Sequence, residues 1–137
     1  MNLYRFTKFI HTIKKCNHKY LSTKIKTVTD EWYIKENNYY KIGLTNNIND
    51  ILYIDIENNE NGNEFKQNNT IVIIETVKAV GEINSPFDCK LIEVNNKVQE
   101  DIELVNNDPE NEENWIIKIQ PNENIKNPDK IINTLKI

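Results

Sequence analysis

The chain has 137 residues, of which 38% are hydrophobic and 28% are charged, and this fits one domain with a modest core. Residues 1–29 hold seven basic side chains and no acidic ones, whereas residues 30–137 hold ten basic and all 21 acidic side chains, a net charge of −11. This acidic majority argues against nucleic-acid binding, because contacts to phosphate need clustered lysine and arginine.

The first segment, residues 1–24, is interpreted as an organelle transit peptide. Leu3, Phe6, Ile10 and Ile13 recur at helical spacing, with lysines elsewhere on the wheel. A basic, acid-free, amphipathic start is typical of transit peptides, and its apolar residues are too interrupted for a membrane span. The segment predicts delivery to the mitochondrion in preference to the plastid. The alternatives are a disordered basic tail or a nucleic-acid-binding arm.

The remaining residues, 25–137, predict a mainly β domain with a few short helices. Short apolar runs alternate with turn-forming Asn, Gly and Pro and show no βαβ rhythm, which favours an antiparallel sandwich or barrel. The predicted strands are Glu31–Lys35, Tyr39–Leu44, Ile51–Ile56, Thr70–Val77, Val80–Ile83, Lys90–Val94 and Trp115–Ile119. The predicted helical pieces are a single turn at Asn46–Asp50, part of Val98–Val105, and a C-terminal helix at Pro128–Leu135 with Asn127 as its cap.

Histidine and cysteine are nearly absent from the predicted domain. His11, His18 and Cys16 all lie in the predicted transit peptide, which leaves Cys89 as the one thiol. An intrachain disulfide, a histidine base and a His-ligated metal site are therefore excluded from residues 25–137. We expect a protein without intrinsic catalysis and without a metal.

One lysine stands where two strands meet. The apolar run from Ile71 ends in Glu75-Thr76-Val77-Lys78-Ala79, and the strand pattern resumes at Val80. This layout predicts a tight hairpin with Lys78 at its tip. Such a lysine is either an ordinary solvated side chain or the attachment point of a prosthetic group.

Several short segments follow one another in a specific order: Asp30-Glu31-Trp32, Ile42–Thr45, Glu75–Ala79, Ser85-Pro86, Val94-Asn95, Glu103–Asn106, Asp108-Pro109 and Trp115–Ile119. This order resembles the H protein of the glycine cleavage system over about residues 25–135. Val77 and Ala79 distinguish the motif around Lys78 from that of biotin carriers, which place Met on both sides of the lysine. Lipoyl domains of 2-oxo acid dehydrogenases usually have Asp where Val77 stands.

The resemblance implies a barrel-sandwich hybrid (lipoyl-domain-like) fold and a non-catalytic, monomeric carrier without nucleic-acid or membrane partners. Lipoate would be amide-linked to Lys78, with Glu75, Val77 and Ala79 completing the modification motif. The implied partners are a pyridoxal-phosphate-dependent glycine decarboxylase (P protein), a tetrahydrofolate-dependent aminomethyltransferase (T protein), dihydrolipoyl dehydrogenase (L protein) and a lipoate-attaching enzyme. The carrier would move the aminomethyl group of glycine from the P protein to the T protein.

Family members shelter the loaded arm in a cleft. By position, Glu31 and Glu82 would face the cationic amine and Thr29 would offer a hydroxyl, since a buried ammonium requires a paired charge. The chain departs from the family pattern in having Asp30 where His is usual. It also lacks the few residues that family members carry between the positions of Asn49 and Asp50, and it has Cys89 in place of a common hairpin Gly.

Two other functions fit the same residues. The chain could be a lipoyl relay protein that donates lipoyl groups to other apo-proteins. It could also be a degenerate binding module that is never modified at Lys78.

Overall fold

The structure is a computed structural model that describes residues 23–59 and 62–137, and these residues form two antiparallel sheets with a few short helices. This confirms the mainly β prediction. The strands are β1 (Lys24–Lys26), β2 (Glu31–Glu36), β3 (Tyr39–Leu44), β4 (Ile51–Ile56), β5 (Glu64–Phe65), β6 (Thr70–Thr76), β7 (Val80–Asn84), β8 (Cys89–Val94) and β9 (Ile117–Pro121). The helices are α1 (Asn96–Glu100), α2 (Glu103–Asn107) and α3 (Pro128–Thr134), with a 3₁₀ turn at Glu112–Asn114.

The larger sheet has the strand order β1-β2-β3-β9-β8-β5 and is organised by the predicted β2–β3 hairpin. Its turn is Asn37-Asn38, and Asn37 has φ 54°, a left-handed conformation that asparagine tolerates better than most residues. β9 pairs with β3 through Ile42 and Ile117, so the last strand of the chain lies beside the second hairpin strand. This pairing joins two strands that are far apart in sequence.

The smaller sheet has the order β4-β6-β7 and supplies the other half of the core. Ile54 pairs with Ile74, and both are buried on the inner face, whereas Tyr53 and Glu75 pair on the outer face. Inner side chains of both sheets form one buried cluster that includes Ile42, Ile54, Ile74, Phe87 and Ile119. Each such side chain stabilises the fold by roughly 1.5–3 kcal/mol through the apolar surface it removes from water.

The helices cover the ends of this core. The helical prediction for Val98–Val105 is confirmed as two short helices, α1 and α2, which bury Val98 and Val105. α3 begins at Pro128 as predicted, and the side chain of Asn127 accepts a hydrogen bond from the amide of Lys130. Ile132 of α3 is fully buried, so packing as well as capping holds this helix.

Some elements differ from the sequence-based expectation. β9 begins at Ile117, two residues after the predicted start, and the carbonyl of Trp115 accepts from the side-chain amide of Asn95 at 2.7 Å. At Asn46–Asp50 the chain makes a turn, in which the amide of Ile48 donates to the carbonyl of Thr45 at 3.1 Å. β1 and β5 were not predicted, since strands of two or three residues have no readable alternation.

The structure describes only the last two residues of the predicted transit peptide. Residues 1–22 of that segment, and residues 60 and 61 between β4 and β5, lie outside the described residues. The predicted boundary between residues 24 and 25 falls within β1. Within the described part of the chain, no helix has the length and apolar character needed to cross a membrane.

Candidate functional site

Lys78 lies at the tip of the β6–β7 hairpin, in the three-residue connection Val77-Lys78-Ala79, and Val77 and Lys78 are the central residues of its turn. The amide of Thr76 donates to the carbonyl of Ala79 at 2.9 Å, which closes the hairpin on one side. On the other side the Thr76 hydroxyl, and not its carbonyl, accepts from the amide of Ala79 at 3.0 Å. Neither Val77 nor Lys78 has a positive φ, so the tip does not use the left-handed turns common in two-residue hairpins. The Thr76 side chain therefore substitutes for part of the backbone closure.

A backbone hydrogen bond holds the hairpin tip against a neighbouring segment, while the side chains at the tip are exposed. The amide of Val77 donates to the carbonyl of Asp50 at 3.1 Å, which ties the connection to the residue before β4. Val77, Lys78 and Ala79 are all exposed. Within residues 23–59 and 62–137, the Lys78 ammonium forms no ion pair. The amine is therefore presented to solvent on a defined backbone.

A cleft of about 260 Å³ lies beside this tip, along the unpaired edge of β7. Two of the three predicted cleft residues, Thr29 from the turn before β2 and Glu82 from β7, line it. Their role toward a bound group stays a prediction. The lining is mainly apolar, and its other residues are Asp30, Leu44, Ile48, Ile74, Thr76, Ala79, Val80 and Gly81.

Glu31, the third predicted cleft residue, lies behind the cleft wall. It is only 4% exposed and is not among the lining residues. Its Oε2 accepts hydrogen bonds from the Thr27 hydroxyl at 2.6 Å and from the Thr29 hydroxyl. Burial raises the pKa of this carboxyl above its usual range, and the two hydroxyls limit the rise. Glu31 therefore does not line the cleft and is connected to it by the hydrogen bond from Thr29.

Asp30 lines the cleft but is not among the cleft residues predicted from the sequence. It has φ 70°, which turns the chain between Thr29 and Glu31. Its carboxylate accepts from the side-chain amide of Asn47 at 2.8 Å, and its carbonyl accepts from the amide of Thr45 at 2.9 Å. Its position between two predicted cleft residues was the available signal. Asp30 and Glu82 are the two acidic residues among those that line the cleft, and negative charge there suits a cationic group. The Glu82 carboxylate itself accepts from the Thr70 hydroxyl at 3.2 Å, and Thr70 does not line the cleft.

The modification-motif residue Glu75 points to the outer face of the smaller sheet, away from the core. It lies opposite Tyr53 on β4, and a hydrogen bond to the Glu75 carboxylate raises the pKa of the Tyr53 hydroxyl. Tyr53 was not singled out from the sequence. Alternation in β4 indicates an outward side chain there, but only strand pairing brings it to Glu75.

A larger cavity lies elsewhere, between the larger sheet and α3. It measures about 550 Å³ and has walls that include Ile25, Tyr33, Tyr40 and Ile132. None of its lining residues belongs to β6, β7 or their connection, so it does not adjoin Lys78. We place the candidate site at the smaller cleft because Lys78 must be within reach of it.

Cys89 has no place in this site. It is fully buried at the start of β8, and burial raises the pKa of its thiol. The thiol therefore stays protonated and unreactive at neutral pH. Within the described residues, no group of three or more His, Cys, Asp or Glu side chains is arranged to hold a metal ion.

Comparison with known proteins extends these observations. A family model described as glycine cleavage H-protein matches residues 24–136. The glycine cleavage system H protein of Thermotoga maritima is 35% identical over 104 residues, which cover 73% of this chain and 82% of that protein. The probable glycine cleavage system H protein 1 of Saccharolobus solfataricus is 34% identical over 127 residues, covering 85% of this chain and 90% of that protein.

A solved structure shares the fold. The crystal structure of a glycine cleavage system H protein from Mycobacterium marinum superposes with a TM-score of 0.59 at 19% identity, covering 72% of this chain and 84% of that one. This agreement confirms the predicted fold class. Together with the family match over nearly all of the described residues, it leads to one conclusion: the chain belongs to the glycine cleavage H-protein family.

Proposed function

We infer that this chain is the lipoyl-carrying shuttle of a glycine cleavage system and that Lys78 bears the lipoyl group. The observation that carries the inference is the exposed Lys78 at a defined hairpin tip beside a cleft that Asp30 and Glu82 help to line. Relatives named for the same system support it. The relay function and the unmodified binding module gain no support from these relatives.

The residues at the tip fit an amide-linked lipoyl group. Attachment requires the neutral Lys78 amine to attack the carbonyl carbon of an activated lipoyl group, such as an acyl adenylate. The C–N bond forms, the C–O bond to the adenylate breaks, and the nitrogen releases one proton. The open position of Lys78 allows an enzyme to surround the amine for this step. When bound, the group supplies a strained five-membered disulfide, because its ring is too small for the roughly 90° dihedral that disulfides prefer.

The chain's own residues position and shelter the group. Tethering at Lys78 raises the effective concentration of the cargo at each partner's site. Asp30 and Glu82 favour a cationic amine in the cleft, and apolar walls such as Leu44 and Ile74 limit the access of water. With no histidine in residues 25–137, the demanding chemistry belongs to the partner enzymes and their cofactors.

The proposed partners are the decarboxylase, the aminomethyltransferase, dihydrolipoyl dehydrogenase and a lipoate-attaching enzyme. The proposed compartment is the mitochondrion, reached through residues 1–24. A fluorescent fusion of residues 1–29 should co-localise with a mitochondrial marker. A diffuse cytosolic signal would show that the compartment is wrong.

Mass spectrometry of the native protein tests the modification. We expect the peptide containing Lys78 to carry the mass of a lipoyl group, and Lys78→Arg to abolish it. Lys97→Arg, at another exposed lysine, is the matched control and should leave the modification intact. An unmodified Lys78 in native protein would contradict the carrier function.

Reconstitution tests the cleavage role separately. The lipoylated chain is incubated with the decarboxylase and isotopically labelled glycine, and the label on the chain is measured. We expect an aminomethyl group to accumulate on the protein. If the lipoylated chain gains no label while a known H protein does, the glycine cleavage role is wrong even though the carrier role holds.

A further inference from the structure

Exposed apolar side chains cluster around the tip that carries Lys78. Among the described residues, seven large hydrophobic side chains are well exposed, and four of these lie at or beside this tip. They are Leu52, Tyr53, Val77 and Val80. Single exposed apolar residues need no explanation, whereas a contiguous group marks an interaction site.

Strand register makes this group one surface. Tyr53 lies opposite Glu75, which lies opposite Val80, so the three form a row across the outer face of β4, β6 and β7. The pairing of β4 shifts between Ile51 and Tyr53, and the intervening Leu52 is 56% exposed. Bulges often re-aim side chains next to functional sites. The next row on the same face holds Asp55, Ile73 and Glu82.

The charges on this face have one sign. The two rows contain three carboxylates, those of Asp55, Glu75 and Glu82, and contain no lysine or arginine. The cation nearest in sequence to these rows is Lys78 itself, at the tip. A partner that fits the face therefore presents an apolar centre surrounded by basic side chains.

We propose that Leu52, Tyr53, Glu75, Val77 and Val80, here termed the tip patch, form the docking surface for the enzyme that attaches lipoate to Lys78. The proposal rests on the carrier function inferred above. Before attachment, the reacting amine extends from the tip only by the length of a lysine side chain. The attaching enzyme must therefore cover the flanking strands to bring Nζ to its acyl adenylate. After attachment, the reacting sulfur atoms lie at the far end of the arm, farther from these strands than Nζ.

Tyr53 acts in this surface as a positioning residue. It is half exposed and lies opposite Glu75 across β4 and β6, and interaction with the Glu75 carboxylate raises the pKa of the Tyr53 hydroxyl. This pairing places the ring beside the charge that Glu75 presents to a basic partner. Tyrosine is also enriched among the residues that dominate binding energy at interfaces, because it offers a large rigid surface with a polar tip.

Attachment kinetics test the proposal on the full chain in its unmodified form. A lipoate–protein ligase is supplied with lipoate and ATP, and lipoylation of Lys78 is followed by mass spectrometry at a series of carrier concentrations. Tyr53→Ala and Val80→Ser should each raise KM for the carrier about tenfold, with kcat changed by less than about twofold. Tyr53→Phe keeps the ring and should raise KM less, since it removes only the hydroxyl opposite Glu75.

Tyr39→Phe is the matched control. The Tyr39 hydroxyl donates to Glu36 at 2.9 Å, a second Tyr–Glu pair, at the turn end of the β2–β3 hairpin. The opposite end of that hairpin contains Leu44, which lines the cleft. Loss of this distant hydrogen bond should leave KM unchanged.

The outcomes separate the two proposals. If the wild type is lipoylated and both Tyr53→Ala and Val80→Ser are folded with an unchanged KM, the docking surface is wrong and the carrier function stands. If the wild type is not lipoylated at saturating ligase, both proposals fail. If Tyr53→Ala instead disrupts self-association and leaves KM unchanged, the tip patch joins copies of this chain and the proposal is overturned. Melting curves show whether each variant folds. If Tyr53→Ala does not fold, Val80→Ser, at an exposed edge position, still tests the docking surface.

Discussion

The Thr29 hydroxyl donates a hydrogen bond to Oε2 of Glu31, and Thr29 lines the cleft beside Lys78 while Glu31 does not. The buried carboxylate is therefore connected to the cleft through a hydroxyl. Thr27 donates to the same oxygen from the buried side at 2.6 Å. We therefore expect substitutions of these three side chains to affect stability in different ways.

Thr27→Val should destabilise the protein more than Thr29→Val. Thr27 is fully buried, so its loss leaves the Glu31 carboxylate short of a partner where water does not replace it. An unsatisfied buried polar group costs about 1–3 kcal/mol, and we expect this loss in the free energy of unfolding by urea at pH 7. Thr29 is exposed, and water can take over its role. Equal losses for the two variants would contradict this assignment.

Glu31→Gln should change the pH dependence of stability. Burial raises the folded-state pKa of Glu31 above the ordinary value of 4.5. As pH rises past 4.5, the unfolded chain releases this proton first, so the folded state loses stability until pH passes the raised pKa. The free energy of unfolding of Glu31→Gln, relative to the wild type, should therefore rise through that window and then level off. Urea unfolding between pH 4 and pH 8 measures it. Glu123→Gln, at an exposed position, should show no such trend.

Gly43→Ala should destabilise the larger sheet. A Cβ at Gly43 would lie 2.2 Å from the ring of Trp32, which is fully buried and donates from Nε1 to the carbonyl of Pro109 at 2.9 Å. The ring has no room to move, and overpacking of this kind costs about 1–3 kcal/mol or more. Gly81→Ala is the matched control, since its Cβ would meet its nearest neighbour, the Ile74 carbonyl, at 4.0 Å. Its thermal midpoint should stay near that of the wild type.

Thr76→Val should loosen the Lys78 hairpin, whereas Thr76→Ser should not. Valine removes the hydroxyl that accepts from the Ala79 amide and donates to the Ala79 carbonyl, both at 3.0 Å. We expect a loss of about 0.5–1.5 kcal/mol in stability and faster hydrogen exchange at the Ala79 amide. Serine keeps the hydroxyl and should preserve slow exchange. Unchanged exchange in Thr76→Val would show that the backbone alone closes the tip.

Local patterns predicted the elements that depend on neighbouring residues. The β2–β3 hairpin followed from two β-rich runs around an asparagine pair, and α3 followed from Asn127 before Pro128. The predicted start of β9 lies two residues too early. The partner of the Trp115 carbonyl is the side chain of Asn95, 20 residues earlier in the chain. Such a contact leaves no periodic signal.

The sequence by itself determined that Lys78 is the candidate attachment residue, because a hairpin tip and its flanking Glu75, Val77 and Ala79 are local features. Only the tertiary structure decided what surrounds it. Folding brings Thr29, Asp30 and Glu82 to the lining of one cleft and leaves Glu31 buried behind the wall of that cleft. Strand register, which depends on packing between distant segments, places Tyr53 against Glu75.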